Sequence, residues 1–438
     1  MNNILTRILR AMASAALIGS LTAEAAKATE GYFQDSVSPR EKATGGAGIA
    51  DPRDALTIAD NPAGLVDVGS QANVDLTVFS PDRWYSASGT TLVAPGTYKS
   101  TGDAFFVPTM AFSHAIDGES AWGVAMYGNG GMNSAYNAGP NPNCGGAFGV
   151  FCDGKAGVDL NQAFMTLGYA RRVGAFSFGV APIVAVQMFR AYGLAGFGGL
   201  SSNPLELSNN GTSWSVGGGV RAGVEWYATP SLRFGLAGAT PIWSSSFTKY
   251  SGLFANQGQF DIPGTITAGV AYDVLPMLTL LLDYKHIFYS DIPSLSNPSA
   301  FTGILYGATG GPGFGWHDID VVSLGAEWRV TPNLILRAGY AHNTNPISGA
   351  DVTINILAPG IVTDHVSAGA SYKILPNASL DVAAVYAPRQ DVSGPEVTPL
   401  GPTPGSNINI WMSQFELTMG LTYYFDAPPA QSVVASKY

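Results

Sequence analysis

Residues 414–425, with the sequence QFELTMGLTYYF, alternate apolar and polar side chains. Apolar residues occupy every second position from Phe415 to Phe425, and the residues between them are mostly polar or small. Successive side chains of a β-strand point to opposite faces, so this segment would have one apolar face and one polar face. The pattern predicts a strand that separates an apolar environment from a polar one.

Segments of this kind recur from about residue 70 to residue 425, and short turns alternate with long loops between them. In a closed transmembrane barrel, such alternation places the short turns on the periplasmic side and the long loops outside. The sequence therefore predicts an all-β fold, an antiparallel transmembrane β-barrel of about 14 strands. The strands are expected approximately at 71–87, 102–116, 120–136, 158–172, 175–190, 213–227, 231–247, 263–275, 278–290, 317–330, 334–346, 363–375, 378–390 and 411–425.

The composition suits a protein that is partly solvated by lipid. Charged residues make up 12% of the 438 residues, compared with about 25% in typical soluble domains. The longest mainly apolar run, residues 11–21, is too short for a spanning helix, which needs about 20 residues. The formal net charge of -10 argues against a nucleic-acid partner, because nucleic-acid-binding proteins present basic surfaces.

The first 28 residues have the features of a secretory signal peptide. Arg7 and Arg10 precede the apolar run, and small residues follow it. Cleavage after Ala25 and cleavage after Ala28 both fit the preference for small residues near the cut, and we expect the second. An exported chain that forms a lipid-spanning barrel belongs in a bacterial outer membrane.

Residues 29–68 do not alternate and are expected to form a small helical plug, here called the hatch. Asp51 is predicted to cap a short helix with Pro52 at its first position, and Asn61-Pro62 to end that helix and start another turn. A segment of about 40 residues is too short to bury a core of its own, so we expect it to pack in the barrel lumen. The predicted division is a signal peptide at 1–28, the hatch at 29–68, the barrel at 69–425 and a periplasmic tail at 426–438.

The two cysteines, Cys144 and Cys152, lie in one loop rich in Gly, Asn and Pro. A disulfide that closes this loop is expected in an exported protein, and two free thiols are the alternative. No histidine lies near them in the sequence, and a zinc site needs four ligands at characteristic spacing. No metal site and no cofactor are therefore expected.

Three N-terminal motifs resemble the FadL/TodX family of outer-membrane transporters for hydrophobic compounds. They are EGYFQ at 30–34, ATGGAGIAD at 43–51 and DNPAGL at 60–65. The resemblance implies a fourteen-stranded barrel closed by an N-terminal hatch. It also implies that Asn61, Pro62 and Ala63 form the gating element of that hatch.

The third predicted strand is interrupted at Gly128, Asn129, Gly130 and Gly131. Glycine within a strand weakens pairing and often marks a bulge or a bend. In the family that the chain resembles, the corresponding strand has an inward kink that opens the barrel wall sideways. The resemblance implies the same lateral opening here, and the alternative is a glycine-rich strand that accommodates a bulky neighbour.

Two of the predicted outer loops are unusually apolar. Such side chains either form an exposed surface that captures a hydrophobic ligand or pack over the mouth of the barrel. The resemblance favours capture. The residues are Tyr192, Leu194, Phe197, Leu200, Phe247, Tyr250, Leu253 and Phe254.

Several charged residues are expected on the lumen face, because charges on the lipid face are costly. A basic residue among them could pair with a substrate carboxylate. Pairing with acidic neighbours across the lumen is the more common role, so no head-group ligand is predicted. These residues are Arg221, Glu225, Glu327, Arg329, Arg337, Lys373, Asp381 and Glu416.

The resemblance implies uptake of long-chain fatty acids or similar hydrophobic compounds, through loop capture, binding in the lumen and lateral release at the kinked third strand. The alternatives are a general diffusion porin, an aromatic-hydrocarbon or alkane channel, and a structural or adhesive barrel. An enzyme is not expected, because the chain has no nucleophile elbow, zinc-binding helix motif or phosphate-binding loop. The expected partners are the hydrophobic ligand and outer-membrane lipid, with the protein as a monomer.

Overall fold

The structure is a computed structural model that describes residues 30–426. The predicted signal peptide at 1–28, with both cleavage sites, lies outside the described residues, as does the predicted tail from residue 427 onward. Between Glu30 and Asp426, no helix is long and apolar enough to cross a membrane.

Fourteen long strands form one closed antiparallel sheet, and this prediction is confirmed. The strands are β1 (Gln71–Ser88), β2 (Phe105–Ala115), β3 (Ser120–Asn133), β4 (Gly157–Val173), β5 (Phe176–Tyr192), β6 (Ser213–Thr229), β7 (Leu232–Ala239), β8 (Thr265–Leu275), β9 (Leu278–Ile287), β10 (Ile319–Thr331), β11 (Leu334–Asn343), β12 (Asp364–Leu375), β13 (Ala378–Gly394) and β14 (Asn407–Tyr424). Each strand pairs with the next along the chain, and β14 pairs with β1 over its whole length. Along most of the wall, closure pairs every strand edge that faces lipid.

Some strand bounds differ from the predicted ones. The strand predicted at 231–247 ends at Ala239, because Pro241 has no N–H to donate to a neighbouring strand. The last two strands extend further outward than predicted, to Gly394 and from Asn407. Their ladder continues past the expected ends because the two segments keep pairing above the membrane.

The two faces of the barrel differ as the alternation predicts. Along β14, Phe415, Met419 and Leu421 are 46%, 53% and 46% exposed on the outside, whereas Glu416 and Thr418 between them are buried. Apolar side chains in equivalent outward positions on other strands complete the belt that meets lipid. They include Leu76, Leu167, Leu236, Leu282 and Leu324.

Short turns join the strands on the periplasmic side, and longer loops join them on the extracellular side. The loop at 344–363 folds into the barrel mouth, where Val352, Ile356 and Val362 are fully buried. Short strands and helices in the loops are Gly96–Lys99, Pro142–Cys144, Ala195–Leu200, Pro204–Glu206, Trp243–Ser244, Thr248–Tyr250, Ala255–Gly258, Tyr289–Asp291, Pro293–Ser296, Gly349–Asp351, Val352–Asn355, Val397–Thr398 and Gly401–Pro402.

The described part of the hatch, residues 30–68, is buried almost throughout and contacts the inner wall of the barrel. It contains α1 (Pro39–Lys42), α2 (Leu65–Val68) and 3-10 helices at Ala55–Ala59 and Pro62–Gly64. The predicted cap at Asp51 is wrong. Asp54 caps the helix instead, since its side chain accepts a hydrogen bond from the Leu56 amide, 2.9 Å away.

Candidate functional site

Glycines of the barrel wall form the surface on which the hatch lies. A Cβ atom on Gly223 would lie 2.0 Å from Asn61 Oδ1, and one on Gly179 would lie 2.3 Å from the Ala63 nitrogen. Side-chain carbons do not approach other atoms this closely, so only glycine fits at these two positions. Other wall glycines in close contact with the hatch are Gly130, Gly168, Gly235, Gly325, Gly339 and Gly369.

Asn61, Pro62 and Ala63 lie together at this surface, against β5 and β6. Asn61 Oδ1 accepts from the Ala63 amide at 3.1 Å, which caps the second 3-10 helix. Asn61 Nδ2 donates to the carbonyls of Ile49 at 2.9 Å and Val224 at 3.3 Å. One side chain thus joins two parts of the hatch to the barrel wall.

Arg40 attaches the hatch to the opposite wall. Its guanidinium forms a bidentate pair with Asp381, with Nε–Oδ1 at 3.0 Å and Nη2–Oδ2 at 3.1 Å. Nη2 also donates to the hydroxyls of Ser379, Thr422 and Tyr424. Leaving one member of such a buried pair without the other costs about 3–5 kcal/mol.

Two further buried ion pairs link the hatch to the wall. Arg53 Nε lies 2.8 Å from Glu327 Oε2, and Arg337 Nε lies 2.8 Å from the same oxygen. Lys42 Nζ pairs with Glu416. The predicted lumen charges that lie in these contacts therefore bind the hatch and one another.

Strand β9 holds the N-terminal half of the hatch. Asp283 Oδ2 accepts from the Gly48 amide at 2.8 Å and from the Ile49 amide at 2.9 Å. Lys285 Nζ lies 2.9 Å from Glu30 Oε2. Burial raises the pKa of the Glu30 carboxyl to about 7, although Lys285 acts in the opposite direction.

Strand β3 has its bulge at the predicted interruption. Gly128 pairs with Ala163 and Gly130 with Gln162, so Asn129 is an extra residue in the ladder with β4. On the other side, the pairing of β3 with β2 stops at Met126. From the bulge outward, β3 has therefore left its neighbour β2 in the wall.

The hatch fills the place that β2 leaves beside β3. The Gly131 amide donates to the Tyr32 carbonyl at 3.0 Å, and the Gln34 amide donates to the Asn129 carbonyl at 3.2 Å. A Cβ on Gly130 would lie 2.0 Å from the Tyr32 carbonyl oxygen. Glycine is thus required at position 130 because the backbone of the hatch lies directly against it.

A cavity lies beside the outer part of β3. It is partly open to solvent, and the atom-free space there, open solvent included, is about 300 Å³. Gly131 and Asn133 from β3 contribute to its wall. Its other lining residues include Phe79, Pro81, Arg83, Met132, Trp316, Pro359 and Met412.

The apolar loop residues are packed over the barrel mouth. Phe247, Tyr250 and Phe254 surround Phe189 with ring-centroid distances of 5.5, 4.9 and 4.7 Å. Leu194 is also buried, and the remaining members of the predicted set, Tyr192, Phe197, Leu200 and Leu253, are half-buried. The predicted exposed capture surface is therefore not formed by these residues. The most exposed aliphatic and phenylalanine side chains of these loops are Phe148, Leu205 and Leu400, and Trp243, Ile304 and Leu305 are also exposed.

One covalent bond closes an extracellular loop, and one carboxylate joins two others. Cys144 and Cys152 of the same loop are joined by a disulfide, with their Cα atoms 5.8 Å apart. The Glu396 carboxylate accepts from the amides of Thr91, Leu92 and Val93 at 2.6 to 2.9 Å. These hydrogen bonds lower the pKa of Glu396 despite its burial.

The sequence did not single out Arg83, Asp283, Trp316 or Glu396 as functional. For the first two, the available signal was a charge in an alternating strand at a lumen-facing position. Trp316 and Glu396 lie in loops without periodicity, and only the folded loops show what they contact.

The chain matches the family described as outer membrane protein transport protein (OMPP1/FadL/TodX) over residues 19–425. Among solved structures, the P. putida toluene transporter TodX is 17% identical, with 90% of this chain and 99% of that chain covered and a TM-score of 0.64. A Pseudomonas aeruginosa FadL homologue is 17% identical, with 90% and 100% covered and a TM-score of 0.66. The Ralstonia pickettii toluene transporter TbuX is 18% identical, with 90% and 99% covered and a TM-score of 0.61. Among curated proteins, no sequence matches this chain.

Proposed function

Because the chain belongs to the OMPP1/FadL/TodX family of outer-membrane transport proteins, we propose that it takes up long-chain fatty acids or similar hydrophobic compounds. The cargo binds in the cavity above the hatch and leaves sideways through the wall at the kink in β3. The observation that carries this proposal is the position of the cavity, whose wall includes residues 131–133 of the kinked strand. A ligand in the cavity is therefore already beside the interruption in the wall.

The contacts of the hatch favour a sideways exit over passage straight through the lumen. Moving the hatch aside would break the buried pairs of Arg40 with Asp381 and of Arg53 with Glu327, and would separate backbone surfaces at Gly179. The kink is closed mainly by hydrogen bonds from hatch residues 32–34. Opening that short contact costs far less than removing the whole hatch.

Entry begins at the extracellular loops. We propose that Phe148, Leu205 and Leu400, which are 62%, 84% and 100% exposed, make the first contact with a hydrophobic cargo. The aromatic residues packed around Phe189 help to close the mouth of the barrel to water. The protein acts as a monomer in outer-membrane lipid, because a closed barrel has no edge that requires a partner.

An aromatic-hydrocarbon channel is the second candidate function. Two of the similar solved structures are named toluene transporters, and the apolar lining of the cavity would accept such a compound. A general diffusion porin is disfavoured, because the hatch occupies the lumen with buried contacts on several sides.

Deletion of Asn129 tests the lateral route. Removing the extra residue should let β3 pair without a bulge and close the wall. In proteoliposomes, we expect uptake of a labelled C16 fatty acid to fall at least tenfold while equilibrium binding is retained. Deletion of the exposed loop residue Gly199, where a Cβ would meet no atom within 4 Å, is the matched control and should leave uptake unchanged. Undiminished uptake without Asn129 would refute lateral release, and absence of fatty-acid binding by the wild type would refute the cargo.

A further inference from the structure

The buried arginines of the described chain differ in whether a carboxylate lies beside them. Arg40, Arg83 and Arg337 are each less than a tenth exposed. Arg40 lies 3.0 Å from Asp381, and Arg337 lies 2.8 Å from Glu327. Between residues 30 and 426, no carboxylate lies within ion-pair distance of Arg83.

Arg83 projects from β1 into the lumen and lines the cavity. Its Nη2 donates to the Gly102 carbonyl, and its guanidinium carbon lies 5.6 Å from the centre of the Phe105 ring. Its Nε is buried and has no hydrogen-bond partner. The nearby Asp82 pairs with Lys99 at 2.8 Å. Burying a charge without a counter-charge is costly, so a guanidinium in this position is suited to an anionic guest.

The rest of the cavity defines the other part of that guest. Phe79, Met132, Trp316 and Met412 provide apolar surface in the same cavity as Arg83. A planar guanidinium matches the geometry of a carboxylate and binds it with charge-assisted hydrogen bonds. The complementary ligand is therefore an amphiphile with an acyl chain and a carboxylate head.

We propose that Arg83 is the head-group-binding residue of the cavity and that it selects carboxylates over uncharged hydrocarbons. This inference rests on the proposed function, since it concerns the same cavity, but it specifies the class of cargo. In the bound complex, the carboxylate of the cargo lies beside Arg83. Asp381 has the same position beside Arg40, and Glu327 beside Arg337.

The test compares binding of hexadecanoate and its methyl ester to the purified full-length protein in non-ionic detergent. The two ligands share their chain and differ in the charge of the head. We expect the wild type to bind the acid at least about tenfold more tightly than the ester, as a charge-assisted hydrogen bond allows. In Arg83→Met, the affinity for the acid should fall until the two ligands bind about equally. The affinity for the ester should stay within about twofold of the wild-type value.

Arg83→Lys retains the charge without the fork of donors and should keep part of the preference for the acid. This variant also tests the proposal if Arg83→Met does not fold. Arg389→Met is the matched control, because Arg389 is exposed and lies over the Trp411 ring, and its acid-to-ester ratio should equal that of the wild type.

Four results would overturn the inference. They are equal binding of acid and ester by the wild type, equal weakening of both ligands in Arg83→Met, loss of the preference in Arg389→Met, and tighter binding of hexadecyl phosphate than of hexadecanoate. Equal weakening would mean that Arg83 only supports Gly102 and Phe105. Failure of the wild type to bind either acid or ester would instead refute the proposed function itself.

Discussion

The lower and upper halves of the lumen have opposite character, although the same strands line both. Along β14, the inward side chains Thr422 and Thr418 near the periplasm are followed by Met412, Ile410 and Ile408 toward the outside, and all are buried. The inward side chains of β1 change in the same direction. They are polar at Gln71, Asn73, Asp75 and Thr77 and aromatic at Phe79. The change falls where the hatch ends and the cavity begins.

One barrel can therefore hold a permanent plug and also bind a temporary guest. In the lower half, buried ion pairs and direct backbone contacts are specific, so they fit only the hatch. In the upper half, apolar contacts are non-directional and proportional to area, so they accept guests of various shapes. We expect changes in the lower half to loosen the hatch and changes in the upper half to weaken ligand binding.

The largest expected effect comes from Arg40→Met. This change leaves Asp381 buried without its partner, which should destabilise the seated hatch by about 3–5 kcal/mol. Hydrogen exchange of hatch amides at 43–51 should accelerate by about two to four orders of magnitude. Lys99→Met is the control, because the pair of Lys99 with Asp82 is about half exposed, and such pairs contribute only about 0–1 kcal/mol. Equal effects of the two changes would contradict the role of Arg40.

A smaller effect is expected from Gly179→Ala. The new Cβ would lie 2.3 Å from the Ala63 nitrogen, so the hatch backbone must shift, at a cost of about 1–3 kcal/mol. Exchange of amides at 60–65 should accelerate. Gly118→Ala adds the same methyl group in a turn where no atom lies within 4 Å and should change nothing. Unchanged exchange in Gly179→Ala would show that the wall does not hold the hatch at this point.

Met412→Ala changes the upper half of the lumen. It removes apolar surface from the cavity, and a buried methionine contributes about 1.5–3 kcal/mol. We expect affinity for a hydrophobic ligand to fall about tenfold, which corresponds to about 1.4 kcal/mol. Hydrogen exchange of the hatch should stay as in the wild type. Faster hatch exchange with unaltered ligand affinity would reverse the assignment of the two halves.

The smallest effect concerns the pH dependence of the hatch end at Glu30. The pKa of this carboxyl is raised from 4.5 to about 7 in the folded protein, so the folded state binds the proton more tightly. The resulting stabilisation is complete below about pH 4.5 and is lost as the pH rises through 7. Exchange protection at 30–34, corrected for intrinsic rates, should decrease over this range and become flat in Glu30→Gln. A slope that persists in Glu30→Gln would assign the dependence to another group.

The fold could be predicted from the sequence because its cause is local. Alternation with a period of two residues, as at 414–425, defines both the strand and its lipid face. The cap of the first 3-10 helix was misplaced by three residues, from Asp54 to Asp51, because both positions carry the same capping side chain. Glycine at 128, 130 and 131 indicated the bulge, because glycine within a strand weakens its pairing and often marks a bulge.

Much of the candidate site could not be predicted, because it depends on distances between remote segments. The chain has 54 glycines, and only the register of the strands shows that Gly179 and Gly223 face the hatch. That no carboxylate of residues 30–426 lies beside Arg83 likewise depends on where the acidic residues of this range lie after folding. The apolar loop residues looked equally suited to exposure and to packing, and the position of Phe189 beneath them determined the outcome.

If the hatch stays in place while cargo leaves sideways, transport should not open an ion path through the lumen, and ion current during transport measures this. The protein would be reconstituted in a planar bilayer, and single-channel current recorded before and during addition of a fatty acid whose transport is measured in parallel. A plugged lumen predicts a low current that does not change while the fatty acid is transported, with Arg40→Met as the leaking positive control. Stepwise increases in current that accompany fatty-acid transport in the wild type would show that the hatch moves aside, and would contradict the account.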